Sequence, residues 1–217
     1  MKKFLYLLVL VLSIVLTGCS SCQSDKAKQE TKTTKVFSAD YDGVLPDLSK
    51  GASHIIATHR QTMYSIVKGK EYFWYETKFT FADTLKADTF DDNALVEVTS
   101  TFQTFEPSLV YNITTNAAKG TLIPTPTPGL WIEDFDLGNA EIKLSINDVI
   151  EKLKAWNGVM PPAKAFYLRK PVGPIACNAQ YVAGNPFKAV WVDAVTGEIT
   201  ESCPAFPQLN MPLGEWP

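Results

Sequence analysis

Residues 145–158, SINDVIEKLKAWNG, admit one local structure. Ser145 suits a helix N-cap, because its hydroxyl can accept from the free backbone N–H three residues on, and Asp148 at that position completes a capping box. Leu144 and Val149 have hydrophobic-staple spacing. Ile146, Val149, Ile150, Leu153 and Trp156 recur at helical period as one apolar stripe. Asn147, Glu151, Lys152 and Lys154 fall outside it. Gly158 is placed to end the helix in the left-handed conformation, and Pro161 and Pro162 prevent its resumption. So short a helix needs a sheet to cover its stripe. Strands are expected at 165–170, 177–182 and 188–192, the last two flanking the turn signal Gly184-Asn185-Pro186. In VWVDAVTGEI, residues 194–197 form a tight turn with Gly197 at positive φ, and the chain runs extended again over 199–202.

Ser145 with its helix, and Val192-Asp193-Ala194 with Thr196-Gly197-Glu198-Ile199, resemble the PepSY family over residues 145–202. The family closes its small domain on a comparable turn motif, here Asp193, Thr196, Gly197 and Glu198. The chain departs from the pattern in a proline-rich insert (Pro161, Pro162, Pro171, Pro174) and a cysteine in the middle strand. The resemblance implies a cystatin-like helix on an antiparallel sheet in an exported, non-catalytic protein. Some family members act as inhibitory or chaperone segments of secreted peptidases. The family has no catalytic residues to carry over.

The first half reads the same way in outline. Over residues 49–68, Ala52, Ile55, Ile56, His59, Met63, Ile66 and Val67 make one helical stripe, with Gly69 as terminator. Residues 71–82, aromatic and β-branched, predict a strand, and 94–105 and 108–114 two more, with an acidic loop at 83–93. The fold class is therefore α+β, a helix packed on antiparallel strands, with two tandem αβββ modules as the extended expectation. The N-terminal module covers 41–120 and the C-terminal, PepSY-like module 130–217. Residues 121–129, TLIPTPTPG, stand between them as a proline-rich linker unsuited to helix or central strand.

Upstream, Lys2 and Lys3 precede an apolar run at 4–16, too short to span a bilayer comfortably and right for a signal-peptide core. It ends in Leu16-Thr17-Gly18-Cys19, which resembles a bacterial lipobox. The resemblance implies a signal peptide over 1–18, lipid on Cys19, and, with Ser20 next, an outer-membrane destination in the cell envelope. The alternative is an ordinary secretory signal with an accidental cysteine. Removing 1–18 takes the formal charge from −3 to −5. A mildly acidic chain without a basic run argues against a nucleic-acid partner and leaves the lipid as the membrane contact. Residues 19–40 read as the lipidated cysteine and a polar tether, of which residues 23–40 span roughly 25 Å on average.

With Cys19 lipidated, Cys22, Cys177 and Cys203 remain in an oxidising compartment. Cys177 and Cys203 flank the last strands and are candidates for a disulfide, with two separate buried thiols as the alternative. His54 and His59 lie about 140° apart on a helix, which makes no paired metal site. His59 reads as a stripe-edge core residue. Asp88, Asp91 and Asp92, and Glu133, Asp134 and Asp136 before Gly138, are acidic clusters read as solvated loops, the second only faintly like a calcium loop. The aromatics around Tyr72, Phe73, Trp74 and Tyr75 read as core. No metal, cofactor or catalytic constellation is expected. The expected function is a binding or regulatory module for an extracytoplasmic protein or peptide, including modulation of a peptidase. The alternative is an envelope structural or surface glycan-binding lipoprotein.

Overall fold

The computed structural model describes the backbone of residues 35–37 and residues 51–85, 94–185 and 188–206, all within the compact unit Thr34–Pro217. Helix α1 spans Ala52–Ile66 and α2 Ile146–Ala155. The strands are β1 Lys35–Phe37, β2 Phe73–Leu85, β3 Leu95–Phe105, β4 Ser108–Asn116, β5 Gly120–Ile123, β6 Thr127–Pro128, β7 Ala163–Arg169, β8 Gln180–Asn185, β9 Lys188–Asp193 and β10 Ile199–Thr200. Among the described residues they form one sheet in the order β1-β5-β4-β3-β2-β7-β8-β9-β10, with β6 beside β4. All pairings are antiparallel. Each helix is followed by three neighbouring strands. The two triplets share one sheet, because β2 pairs with β7 at its centre.

Both helices cover the same face. Ile55 and Met63 of α1 and Ile146, Val149 and Leu153 of α2 join Phe79, Val98, Phe102, Ile113, Phe166 and Leu168 in a single core. The capping box of α2 is present: the Ser145 hydroxyl accepts from Asp148 N (3.3 Å), and Asp148 Oδ2 accepts from Ser145 N (2.8 Å). Gly69 ends α1 as expected, with φ 77° and its N–H donating to Tyr64 O. Gly158 does not end α2. That helix stops at Trp156, whose own backbone turns extended. Glycine is needed at 158 because a Cβ there would overlap the Trp156 indole.

Other local expectations shift for physical reasons. The proline-rich stretch 121–129 contributes residues of β5, between β1 and β4, and β6, which pairs with β4; Pro124 and Pro126 fall between the two strands, and Pro128 lies in β6, for which β4 is the one described neighbour. Lys35–Phe37, inside the expected tether, pairs with β5 as β1. Residues 177–179 precede β8, and Gly184 and Asn185 belong to it. His59 sits at the centre of the α1–sheet contact rather than its edge. It is fully buried, with Nδ1 2.9 Å from Ser100 Oγ and Nε2 2.8 Å from Thr115 Oγ1. Ser100 bonds Thr77, whose hydroxyl accepts from Trp74 Nε1, and Thr115 bonds Thr121. Trp74 and Thr77 can share a face because a bulge at Tyr75 shifts the register between Trp74 and Glu76.

The expected lipid-attachment residue Cys19, the expected signal peptide, Cys22, and Asp88, Asp91 and Asp92 lie outside the described residues. Among the described residues no helix is long and apolar enough to cross a membrane.

Candidate functional site

The face of the sheet away from the helices carries a polar row. Cross-strand register aligns Asn112, Thr101, Glu76, Arg169, Gln180 and Asp193 side by side over six adjacent strands. Arg169 stands near the middle and is almost fully buried under the segment that follows β6. Its Nε donates to Asp134 Oδ1 at 2.7 Å and its Nη2 to Asp134 Oδ2 at 3.0 Å and Glu133 Oε2 at 3.1 Å. A bidentate fork of this kind fixes the carboxylate in position as well as in distance. Trp131 Nε1 donates to the same Asp134 carboxylate.

The covering segment is tied down along its length. Gln103, buried on β3, accepts from Trp131 N and donates to Gly129 O. Asp136 Oδ1 accepts from Trp74 N and Gly138 N, and Leu137 N donates to Trp74 O. Thus Asp134 and Asp136 are structural anchors rather than members of a solvated acidic loop. Among the described residues no cluster of histidine, cysteine and acidic side chains is arranged to hold a metal ion.

This anchored segment pairs with the loop after β7. Phe135 N donates to Lys170 O at 2.7 Å, Val172 N to Glu133 O at 3.4 Å, and Asp134 bridges Pro171. The two paired stretches present Leu130, Ile132 and Phe135 on one side and Val172 and Ile175 on the other, with Ile132 77 % exposed. These five exposed apolar side chains on two bonded stretches, called the ridge below, bind water poorly, and a partner can meet them without first ordering the loop.

Glu76 faces the same cluster. Burial pushes its carboxyl up to about 7, opposed by Arg169 and reinforced by Asp134 and Glu133. Burial also raises Asp134, against the pull of Arg169 and Trp131. Sequence reasoning missed both Glu76 and Arg169. The one local sign was a charged residue inside each of two otherwise apolar or aromatic strands, YFWYETKF and AFYLRK.

The turn motif has a structural job. Gly197 has φ 76° and donates to Asp193 O, and Asp193 N donates to Glu198 O. Asp193 Oδ1 accepts from Val195 N and Thr196 N, while Thr196 Oγ1 accepts from Glu198 N. Burial pushes the Asp193 carboxyl up. The N–H groups of Thr196 and Val195, with Asn178 and Gln180, outweigh it and hold the pKa below the usual range. Cys177, half-buried, and Cys203, buried, are both free thiols. They meet in a second cluster on this face, with Val182, Trp191 and Ala205.

On the helix face, a cleft of about 390 Å³ opens between α1 and the start of α2, with Arg60, Trp74, Lys143 and Tyr181 among its walls. Arg60 lies over the Trp74 ring at 5.4 Å, and Tyr181 donates to Leu144 O. We find no match to this chain among protein-family models, curated proteins or solved structures.

Proposed function

We propose that this chain is an exported bacterial lipoprotein, held at the outer membrane by lipid on Cys19, whose globular part is a non-catalytic module. It binds an extracytoplasmic protein or peptide on the ridge formed by Leu130, Ile132, Phe135, Val172 and Ile175. One observation carries the reading. Among the described residues, five of the eight exposed large apolar side chains lie on two stretches bonded to each other and anchored by a buried ion pair. Patches of this kind mark interaction surfaces. The repeated order of one helix and three strands supports two PepSY-like modules fused through β2 and β7, and modulation of a peptidase is the activity that resemblance suggests.

The test is cross-linking in living cells from a photoreactive residue at position 133, with and without Ile132→Asp and Phe135→Asp. A defined adduct lost in the double variant, with its melting temperature unchanged, supports the reading. An adduct of equal yield in the variant overturns it.

A second reading, binding of an envelope glycan, is favoured by the hydrogen-bonding rows beside the ridge. Thr99 and Thr114 bond each other, Thr101 bonds Asn112, and Lys78 lies over Tyr167. Saturable binding of a soluble surface polysaccharide, lost in Tyr167→Ala, would favour it over the first.

A further inference from the structure

We propose that Cys177 and Cys203 close to a disulfide outside the cytoplasm, stapling the loop that carries Val172 and Ile175 to the segment after β10. The pairing follows from the contact between the two stretches and from the cluster that both thiols share. Ile175 N donates to Ala205 O at 3.4 Å. A Cβ on Gly173 would meet Ala205 and the Phe206 ring, so the two stretches are in close contact. Two residues after Ile175 stands Cys177, and two residues before Ala205 stands Cys203. Both thiols belong to one side-chain cluster, so only a local adjustment separates them from the geometry a disulfide needs.

Both positions are fixed from behind. Asn178 donates to the Asp193 carboxylate at 3.0 Å, and Ala194 N donates to Ala179 O at 2.8 Å, which holds Cys177 at the end of β9. Phe206 N donates to Cys203 O at 2.9 Å. Cys177 packs against the cluster of Val182, Ala189, Trp191, Cys203 and Ala205.

The reaction is thiol–disulfide exchange with the disulfide of an extracytoplasmic oxidant, either an oxidase protein or glutathione disulfide. Cys177, the more accessible thiol, gives its proton to solvent and attacks one oxidant sulfur. A mixed disulfide forms and the other oxidant sulfur leaves as a thiol. Cys203, once deprotonated, then displaces the remaining oxidant sulfur. Two protein thiols become one disulfide, and the oxidant's disulfide becomes two thiols. Burial, then the neighbouring Cys203, pushes the Cys177 thiol up to about 11, so closure is slow near neutral pH and quickens as pH rises.

The staple rests on the proposed function only for its compartment, and its test does not involve the partner. The full chain, made with its own leader and recovered from membranes, is blocked with an alkylating agent before and after reduction and mapped by mass spectrometry. A cross-linked pair of peptides containing Cys177 and Cys203, with loss of alkylation at both until reduction, is expected. The same link should form when reduced protein is treated with glutathione disulfide, and Cys203→Ala should leave Cys177 open to alkylation. Cleavage by a protease within 171–176 should slow in the oxidised form. Free alkylation of both thiols after glutathione treatment, or a link from Cys177 to glutathione or Cys22 instead, overturns the proposal. A ridge variant that loses its adduct while keeping this link leaves the two conclusions separate.

Discussion

Arg169 and Asp134, 35 residues apart in sequence, meet in a two-point fork at 2.7 and 3.0 Å beneath a segment with no regular secondary structure. Removing Asp134 takes the two-point fork from a buried guanidinium and leaves it the weaker support of the Glu133 bond and the neighbouring Glu76 carboxyl. Asp134→Ala should therefore destabilise by about 3–5 kcal/mol. The paired replacement Asp134→Leu with Arg169→Met should recover most of that loss. Urea titration of the three variants measures both effects. A single variant as stable as the double one would show that the pair does not anchor the ridge.

His59 gives a pH dependence of definite sign. Burial lowers its pKa from 6.5 to about 3. The unfolded chain then binds a proton that the folded chain refuses, so stability present above pH 6.5 is lost as pH falls towards 3. The slope is about 1.4 kcal/mol per pH unit. His59→Gln should remove this acid sensitivity while lowering stability at pH 8 by about 1–3 kcal/mol through the disturbed Ser100 and Thr115 bonds. Denaturant midpoints at pH 4, 6 and 8 read it directly.

Glu76 works in the opposite sense. Its folded pKa is raised from 4.5 to about 7, so the folded form holds its proton longer than the unfolded chain does. Stability falls as pH rises from 4.5 to 7 and stays lower above. Glu76→Gln should be more stable than the parent at pH 8, by roughly 1–3 kcal/mol after allowance for solvent screening, and close to it at pH 4. Between pH 4.5 and 6.5 the two residues nearly cancel, and the parent's stability should be flat there.

Gly197 lies at φ 76°, where a branched side chain is strained. Gly197→Val should cost about 1–3 kcal/mol, and Gly197→Asn much less, since asparagine tolerates the left-handed region. Thermal melts that fail to separate the two variants would remove the turn from the account.

Helix α2 was legible in the sequence because its signals are local: Ser145 and Asp148 are one turn apart, and its stripe repeats at helical period. The Asp193–Gly197 turn was legible for the same reason. The ridge was not. Glu133, Asp134 and Asp136 read as solvated charge because nothing near them in sequence shows that Arg169 will arrive from another strand. The position of His59 depended on Ser100 and Thr115, brought beneath it by the pairing of β3 with β4. The break at 121–129 was read from its prolines alone, yet β5 and β6 joined the sheet, with Pro124 and Pro126 between them and Pro128 in the two-residue strand β6.

The β2–β7 pairing also governs how the chain comes apart. Cutting the backbone within 121–129 would free no intact module. One piece would keep β2 and the other β7, each with the row of backbone donors and acceptors that the other strand had satisfied. The severed halves should re-associate as a noncovalent complex, and either half made alone should aggregate.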